Sequence, residues 1–243
     1  MGALGLLMHD PAEKRKGAMF KGLFSATPSP SPSSPAATPA ATPAATGAIA
    51  YPVKLNLGCG HAKMEGFINV DHFAGSRPDM VMDLEALPWP FPDSVATHVV
   101  MHSVLEHVGQ SPAQFLGIIK ELWRVCADGA VVDLIVPHPR HDNFLGDPTH
   151  VRPILPATLQ AFDQVANREW IDTGNASTPL GLQIGVDFHV DAVEYILDAK
   201  WKARYAAGEV TAGQVMEAAG VQNNVISDYQ FKWVAHKPGR GAA

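Results

Sequence analysis

The pattern of apolar and polar positions from Tyr51 onward predicts strands and helices that alternate along the chain. Short apolar runs predict five strands, at residues 53–57, 67–71, 80–83, 97–101 and 130–137. Ser111 and Pro112 suit the N-cap and the first turn of a helix over residues 111–124, whose apolar side chains share one face. This alternation predicts an α/β fold with a mostly parallel sheet.

The last part of the chain predicts helices and two closing strands. Apolar periodicity favours helices at residues 156–165, 194–205 and 211–219, with a polar loop around residues 175–179. Strand patterns lie near residues 185–189 and over residues 227–236. Two such closing strands suit an antiparallel edge of the sheet.

The first two connections between strands are short. About a dozen residues separate Leu57 from Val70, and Asp71 from Asp83, which is close to the minimum for a whole parallel crossover with its helix. We therefore expect the first two crossover helices to be reduced to a turn or a loop.

Residues 1–50 form a segment of low complexity, with Pro-Ser alternation followed by repeats of Pro-Ala-Ala-Thr. Proline and small residues bury too little apolar area to offset the entropy of ordering, so we expect a disordered, solvated tail. Residues 17–24 mix apolar and basic side chains, and are interpreted either as a frayed terminus or as a peptide that docks another protein. The folded domain is expected over residues 51–238.

Composition excludes several classes of protein. The formal net charge is −6 and the isoelectric point about 6.0, so no general binding of nucleic acid or of an anionic membrane surface is expected. The two cysteines show no disulfide-framework spacing, which predicts a reducing, cytoplasmic location. No apolar run reaches the roughly 18–20 residues of a membrane span.

Two glycines follow directly on the first predicted strand. Gly58 and Gly60 let the backbone turn sharply and let a ligand approach bare peptide. Asp71 ends the next strand, where a carboxylate can accept hydrogen bonds from both hydroxyls of a ribose. This order of strand, glycines, strand and acid favours a nucleotide-like ligand.

Further motifs follow in a fixed succession. They are Leu-Asn-Leu-Gly-Cys-Gly at residues 55–60, Asp71, Asp83-Leu84 with Leu-Pro-Trp-Pro-Phe at 87–91, His-Ser-Val-Leu-Glu-His at 102–107, Glu-Leu-Trp-Arg-Val at 121–125, Asp128-Gly129 and Val136-Pro137. With these motifs, residues 53–137 resemble the class I S-adenosylmethionine-dependent methyltransferases, in particular the type 11-like members. The resemblance implies a Rossmann-like sheet, mostly parallel, with an antiparallel closing strand.

The resemblance also implies a site for S-adenosylmethionine. Backbone around Asn56, Gly58, Cys59 and Gly60 would approach the methionine part of the cofactor, and Asp71 would bind the ribose diol. Asp83 and the backbone of Leu84 would read the adenine amino group, while Met101 and His102 would form the floor below the sulfonium. Two positions depart from the family pattern: Asn56 replaces an acid, and Ala62 replaces a third glycine.

The most polar part of the predicted domain is residues 138–152, directly after the fifth strand. Methyl transfer to a hydroxyl needs a base, and histidine has a suitable pKa. His150 or His141 is the candidate base, Asp147 or Asp142 would orient it, and Arg140 and Arg152 could hold a phosphate or carboxylate of the acceptor.

Three other interpretations of this segment stay open. Asp147-Pro148 is typical of a turn with an aspartate cap, and Arg152 could simply pair with Asp142. A divalent metal could be held by some of the acidic and histidine side chains. The candidates for that metal site are His138, His141, Asp142, Asp147 and His150.

Two functions from different classes follow. The first is an S-adenosylmethionine-dependent methyltransferase that acts on a small-molecule acceptor, in particular a hydroxyl of a sugar or polysaccharide precursor. The DNA-methylating motif Asn/Asp-Pro-Pro-Tyr/Phe is replaced by His-Ser-Val-Leu at residues 102–105, which disfavours methylation of nucleic-acid bases. The second is a non-catalytic binding or scaffold protein with the same fold.

Glu106 and His107 are interpreted as residues that order the loop after the fourth strand.

Overall fold

A computed structural model describes residues 50–241 of the 243-residue chain. The strands in this part of the chain are β1 Val53–Leu57, β2 Ile68–Asp71, β3 Met80–Val81, β4 Ala96–His102, β5 Cys126–Pro137, β6 Phe188–Leu197 and β7 Ile226–Ala235. The helices are α1 Pro112–Val125, α2 Asp142–Leu145, α3 Pro156–Gln160, α4 Gln164–Thr173, α5 Leu180–Ile184, α6 Ala199–Ala206 and α7 Ala212–Val221. The sequence predictions for the tail, including a docking peptide at residues 17–24, lie outside these residues.

The strands form a single sheet in the order β3-β2-β1-β4-β5-β7-β6. Strands β1 to β5 pair in parallel, and β7 runs antiparallel to both β5 and β6. The first five strands follow the doubly wound order, with its reversal between β1 and β4. The chain therefore has the Rossmann-like fold of the class I methyltransferases, and the predicted antiparallel closing strand is confirmed.

The short early connections are confirmed as well. Between β1 and β4, in residues 58–95 of the described chain, the only helical element is a 3₁₀ turn at Ala74–Ser76. Side-chain hydrogen bonds brace this region instead: the Asn56 amide donates to the carbonyl of Ala62 and to Oδ1 of Asn69, at 3.0 and 2.9 Å. Asn69 in turn donates to Asp79.

The predicted helix at residues 111–124 corresponds to α1. The Ser111 side chain accepts a hydrogen bond from the backbone N–H of Gln114, and Pro112 occupies the first turn. The buried apolar face of α1 is formed by Phe115, Ile118, Ile119, Leu122 and Val125. The strand β5 begins at Cys126 directly after α1, so Asp128-Gly129 lies inside the strand rather than ending the helix.

Three predictions for the last part of the chain were wrong. The helix predicted at residues 156–165 is divided, since Asp163 caps a new helix by accepting from the backbone N–H groups of Val165 and Ala166. The strand predicted at 185–189 begins at Phe188 and continues to Leu197. The helix predicted from residue 194 starts only at residue 199, because residues 194–197 pair with β7.

The core lies on one face of β5 and β7, where buried residues such as Leu134, Phe231 and Trp233 alternate with half-buried or exposed ones. The largest fully buried side chains include Leu55, Met101, Leu122, Phe231 and Trp233. Phe188 stacks on Trp233 with 4.0 Å between ring centroids, which fixes the edge strand β6 to the rest of the sheet. Among the described residues, no helix is long and apolar enough to span a membrane.

Candidate functional site

The carboxyl ends of β1 to β4 surround an open cavity of about 580 Å³. It lies where the strand order reverses, which is where open α/β sheets bind their ligands. Gly58, Asp71, Asp83 and Leu84, four residues that the resemblance assigned to the cofactor, line this cavity. Its other lining residues are His72, Met82, Glu85, Ser103, Val104, His107, Val108, Gln110 and Thr149.

Gly58 gives the cavity its closest backbone approach. Its φ of +67° lies in the left-handed region, and a Cβ there would overlap a methyl group of Val104. Any larger residue would therefore have to displace Val104 and would stand in the cavity.

Asp71 is buried and holds the glycine loop in place. Its Oδ2 accepts a hydrogen bond from the backbone N–H of Gly60 at 2.7 Å, and its Oδ1 accepts one from that of Phe73 at 2.8 Å. Asp83, on the opposite side of the cavity, is exposed and accepts from the backbone N–H of Glu85. The two carboxylates stand at the ends of neighbouring strands, as a ribose and an adenine would need.

The other predicted cofactor residues occupy supporting positions. Asn56 is buried, and its side-chain amide donates the hydrogen bonds to Ala62 and Asn69 that were described above. Gly60 gives its N–H to Asp71. Cys59 is buried, and desolvation followed by the charge of Asp71 raises the pKa of its thiol.

Met101 and His102 do not form the cavity floor that was expected of them. Met101 is fully buried in the core. His102 is exposed, with its Nε2 3.8 Å from Oδ1 of Asp133 on the next strand. The cavity is instead lined by the two residues that directly follow β4, Ser103 and Val104.

A smaller cavity of about 190 Å³ adjoins the first and shares Ser103 and His107 with it. Its remaining lining residues are Glu106, Pro137, Asn143, Asp147, His150 and Asp228. The predicted polar segment does reach this position, because the backbone N–H of Val151 donates to the carbonyl of Glu106 at 2.8 Å. That bond docks the segment onto the loop after β4.

Glu106 is the most unusual residue of the smaller cavity. It is 1% exposed, and neither carboxylate oxygen receives a hydrogen bond. The pKa of Glu106 is raised to about 7, chiefly by burial; its own backbone N–H lowers the pKa, and the charges of Asp228 and Asp147 add to the rise. That N–H does not reach hydrogen-bond geometry, so the carboxylate has no hydrogen-bond partner within residues 50–241.

His150 has a fixed tautomer. Its Nδ1 lies 2.9 Å from the carbonyl oxygen of Phe144, which can only accept, so Nδ1 carries the proton. The Phe144 ring also stacks on the imidazole, with centroids 5.1 Å apart. The lone pair is therefore on Nε2, which lies 3.9 Å from Oδ2 of Asp147.

His107 has a fixed tautomer for a similar reason. The Thr149 hydroxyl donates its one hydrogen to Oδ1 of Asp147 at 2.6 Å, so it must accept from Nδ1 of His107 at 3.0 Å. The rings of His107 and His150 lie 4.5 Å apart. Burial, followed by the charge of His150, lowers the pKa of His107 and keeps it neutral.

Asp147 combines two of the predicted roles. Its Oδ1 accepts from the backbone N–H and the hydroxyl of Thr149, which is the turn cap that one interpretation expected. These two bonds lower the pKa of Asp147, so the carboxylate is ionised beside His150.

The structure does not bring His141, Asp142 and Arg140 to this cavity. His141 caps α2 by accepting from the backbone N–H of Asn143, with its Nε2 3.5 Å from Asp198. Asp142 accepts a hydrogen bond from the amide of Asn224. Arg140 donates to the carbonyl of Gly220 at the end of α7.

Arg152 lies near the site without lining either cavity. Its guanidinium is 4.1 Å from the centre of the Phe115 ring, and its Nε is buried without a hydrogen-bond acceptor. The expected pair with Asp142 is not formed, because Asp142 is bonded to Asn224 instead. Desolvation lowers the pKa of Arg152.

The five-residue metal site considered from the sequence is not assembled within the described chain. A different group is: Glu106, His107 and His150 each offer a ligand atom, and these atoms all lie within 4.8 Å of one another. Two of these residues were interpreted from the sequence as loop-ordering. Their position at the carboxyl end of β4, where the strand order reverses, was the available signal.

No protein-family model and no curated protein matches the sequence. Solved structures are similar to this chain at low sequence identity. A SAM-dependent methyltransferase from Archaeoglobus fulgidus is 15% identical with a TM-score of 0.47, over 75% of this chain and 86% of that one. Another from Methanosarcina mazei is 15% identical, with a TM-score of 0.43 over 76% of this chain and 92% of that one.

A third similar structure is a 16S rRNA (adenine(1408)-N(1))-methyltransferase from Catenulisporales acidiphilia. It is 13% identical with a TM-score of 0.42, over 79% of this chain and 88% of that one.

Proposed function

We propose that the chain is an S-adenosylmethionine-dependent methyltransferase that acts on a hydroxyl of a small-molecule acceptor, in particular a sugar or polysaccharide precursor. The observation that carries the proposal is the contact between two cavities. The larger cavity has carboxylates at strand ends and a glycine whose backbone a ligand can approach closely. It shares Ser103 and His107 with the smaller cavity, which contains basic side chains.

The larger cavity is assigned to the cofactor. Its volume falls within the range of about 300–1,000 Å³ that is usual for small-molecule sites. Asp71 would take the ribose hydroxyls, Asp83 and the backbone at Leu84 the adenine, and Gly58 the methionine part. Negative side chains at Asp71, Asp83 and Glu85 also suit a positively charged sulfonium ligand.

The smaller cavity is assigned to the acceptor hydroxyl. In the reaction the acceptor O–H bond breaks, and its proton passes to the basic groups of this cavity. The oxygen attacks the methyl carbon in line with the carbon–sulfur bond, whose electron pair returns to sulfur and leaves neutral S-adenosylhomocysteine. Positioning and proton removal are the protein's main contributions to such a displacement.

The charge of the smaller cavity favours a neutral acceptor. Glu106, Asp147 and Asp228 all line it, and no arginine or lysine does. A phosphate or a nucleic-acid backbone would be repelled by these carboxylates, whereas a polyhydroxyl compound can donate hydrogen bonds to them. Binding of an acceptor phosphate by Arg140 is not part of this proposal, because Arg140 is engaged with α7.

A turnover assay tests the proposal. The full chain would be incubated with S-adenosylmethionine and a panel of mono- and oligosaccharides, and S-adenosylhomocysteine and methylated product would be measured by mass spectrometry. We expect product with at least one hydroxyl acceptor, and at least a 100-fold lower rate in Glu106→Gln.

The matched control is Glu194→Gln, which changes a carboxylate of the edge strand β6 that lines neither cavity and should leave turnover unchanged. Turnover on DNA or RNA but on no hydroxyl acceptor would overturn the choice of acceptor. Saturable cofactor binding with no turnover on any acceptor would favour the scaffold function instead.

A further inference from the structure

We propose that Glu106, His107 and His150 bind one divalent transition-metal ion at the acceptor end of the cavity. Their ligand atoms lie within 4.8 Å of one another, close enough for one ion to contact all three after small side-chain rotations. Two imidazoles and one carboxylate form a common three-ligand set that leaves positions open for water or substrate.

The two imidazoles are held as metal ligands usually are. A ligating histidine generally donates its other ring N–H to a carbonyl or a carboxylate, which fixes the ring and leaves one lone pair for the metal. Here Nδ1 of His150 donates to the carbonyl of Phe144, and Nδ1 of His107 donates to Thr149, whose hydroxyl passes the interaction on to Asp147. Both Nε2 atoms are thereby left with a lone pair.

The carboxylate of Glu106 points to the same conclusion independently. Both of its oxygens are buried and have no hydrogen-bond partner, an arrangement that is costly unless a ligand compensates it. Asp147 and Asp228 line the same cavity and add negative charge, which attracts a cation. A structural role for Glu106 would require a donor, and none is present among the described residues.

The ligand set indicates which metals fit. Imidazole nitrogen suits Zn²⁺, Fe²⁺, Co²⁺ and Ni²⁺, whereas Mg²⁺ and Ca²⁺ prefer sites made of oxygen atoms. With two nitrogen donors out of three, we expect Zn²⁺ or Co²⁺ to bind far more tightly than Mg²⁺.

The role of the metal in methyl transfer rests on the proposed function, whereas binding of the metal does not. A hydroxyl coordinated to the ion loses its proton more readily. Held by Glu106, His107 and His150, the ion would supply this Lewis-acid chemistry, and Asp147, whose Oδ2 lies 3.9 Å from Nε2 of His150, would accept the proton.

Metal binding is tested on the full-length chain after treatment with a chelator and dialysis. Titration with Co²⁺, followed by its visible absorption, should show about one equivalent bound, and Zn²⁺ should displace it. We expect at least 100-fold weaker binding in Glu106→Gln, His107→Gln and His150→Gln. Thr149→Val, which breaks the link from His107 to Asp147, should weaken binding by about 10–100-fold.

His98→Gln is the matched control, since His98 is a partly buried histidine of β4 whose Nε2 is also without a partner, yet it lies outside the cluster. Circular dichroism checks that each variant folds. Absence of saturable Co²⁺ binding in the wild type, or equal binding in Glu106→Gln, would overturn the proposal.

A thermal-unfolding test with S-adenosylmethionine on the same metal-free samples separates the two proposals. A cofactor shift without Co²⁺ binding removes the metal site and leaves the methyltransferase. Co²⁺ binding without a shift caused by the cofactor supports the metal site and argues against the methyltransferase.

Discussion

Two buried carboxylates in this protein have opposite surroundings. Asp187, just before β6, is 0% exposed, and Glu106, after β4, is 1% exposed. The first is surrounded by hydrogen-bond donors, whereas the second has none. The same chemical group at the same depth thus serves two different purposes.

Asp187 fastens the end of the chain to the sheet. Its Oδ1 accepts from the backbone N–H of Gln164 and from Nη2 of Arg240, and its Oδ2 accepts from the backbone N–H and Nε of Arg240. Burial alone would raise the pKa of Asp187, but these hydrogen bonds outweigh it and hold the pKa below its usual value. Its environment favours the charged form, as a structural ion pair requires.

Glu106 stands where a charge is disfavoured, with a pKa raised by burial to about 7. The protein contains the donors needed to satisfy a buried carboxylate, as Asp187 demonstrates, but none of the described residues forms a hydrogen bond with the Glu106 carboxylate. What lies there instead are two imidazoles, of His107 and His150, and two further carboxylates, of Asp147 and Asp228. The difference teaches that an unsatisfied buried charge at a strand end is a better guide to function than burial itself.

The largest effect is expected for Asp187→Ala. Loss of the carboxylate leaves Arg240 and the N–H of Gln164 without their acceptor, which should lower the free energy of unfolding by about 3–5 kcal/mol. The pKa of Asp187 is about 3.9 when unfolded and lower when folded, so its contribution is present above about pH 4 and is lost as the pH falls through the folded pKa. Urea unfolding of both proteins between pH 7 and pH 3 measures this.

Asp191→Ala supplies the matched control, since Asp191 forms an exposed ion pair with Lys232 at 2.9 Å on the neighbouring strand. It should change the free energy of unfolding by less than about 1 kcal/mol. Equal effects of the two substitutions would contradict the structural role assigned to Asp187.

An effect of opposite sign is expected for Glu106→Gln in the metal-free protein. The folded pKa of Glu106 is about 7 and the unfolded pKa about 4.3, so the folded state binds more protons between these values and its stability falls as the pH rises through them. Glutamine does not ionise, so the variant does not lose stability as the pH rises through this range. The variant should be more stable than the wild type by at most about 4 kcal/mol at pH 8, with little difference at pH 4.

Urea unfolding of both proteins at pH 4, 6 and 8 checks that difference. A variant less stable than the wild type at every pH would mean that Glu106 is satisfied in solution, and the comparison with Asp187 would fail.

Much of the fold could be predicted from the sequence because its signals are local. The apolar runs of β1, β4 and β5 gave their positions, and Ser111-Pro112 gave the start of α1. Strand β6 was missed in part because it is an edge strand with many exposed positions. Its pairing with β7 over residues 188–197 overrides a local preference for helix.

The candidate site was predictable only where its residues follow strands. Gly58, Asp71 and Asp83 could be placed from their positions at strand ends. The cluster around Glu106 depends on contacts between distant segments, such as the bond from His107 to Thr149 across 42 residues. Similarly, Arg240 reaches Asp187 across 53 residues, and no local pattern indicates either pairing.

The most direct test of the central claim compares cofactor binding in variants of the larger and the smaller cavity. Thermal unfolding of the wild type, Asp71→Asn, Asp79→Asn and Glu106→Gln would be measured with and without S-adenosylmethionine. Asp79 is the control, because it braces the same loop through Asn69 without lining the cavity.

At about a hundred times its dissociation constant, the cofactor adds ~2.7 kcal/mol and should raise the wild-type midpoint by roughly 5–10 °C. The account predicts that this shift is lost in Asp71→Asn and kept in Asp79→Asn and Glu106→Gln. A wild type that shows no shift, or a shift lost equally in Glu106→Gln, would contradict it.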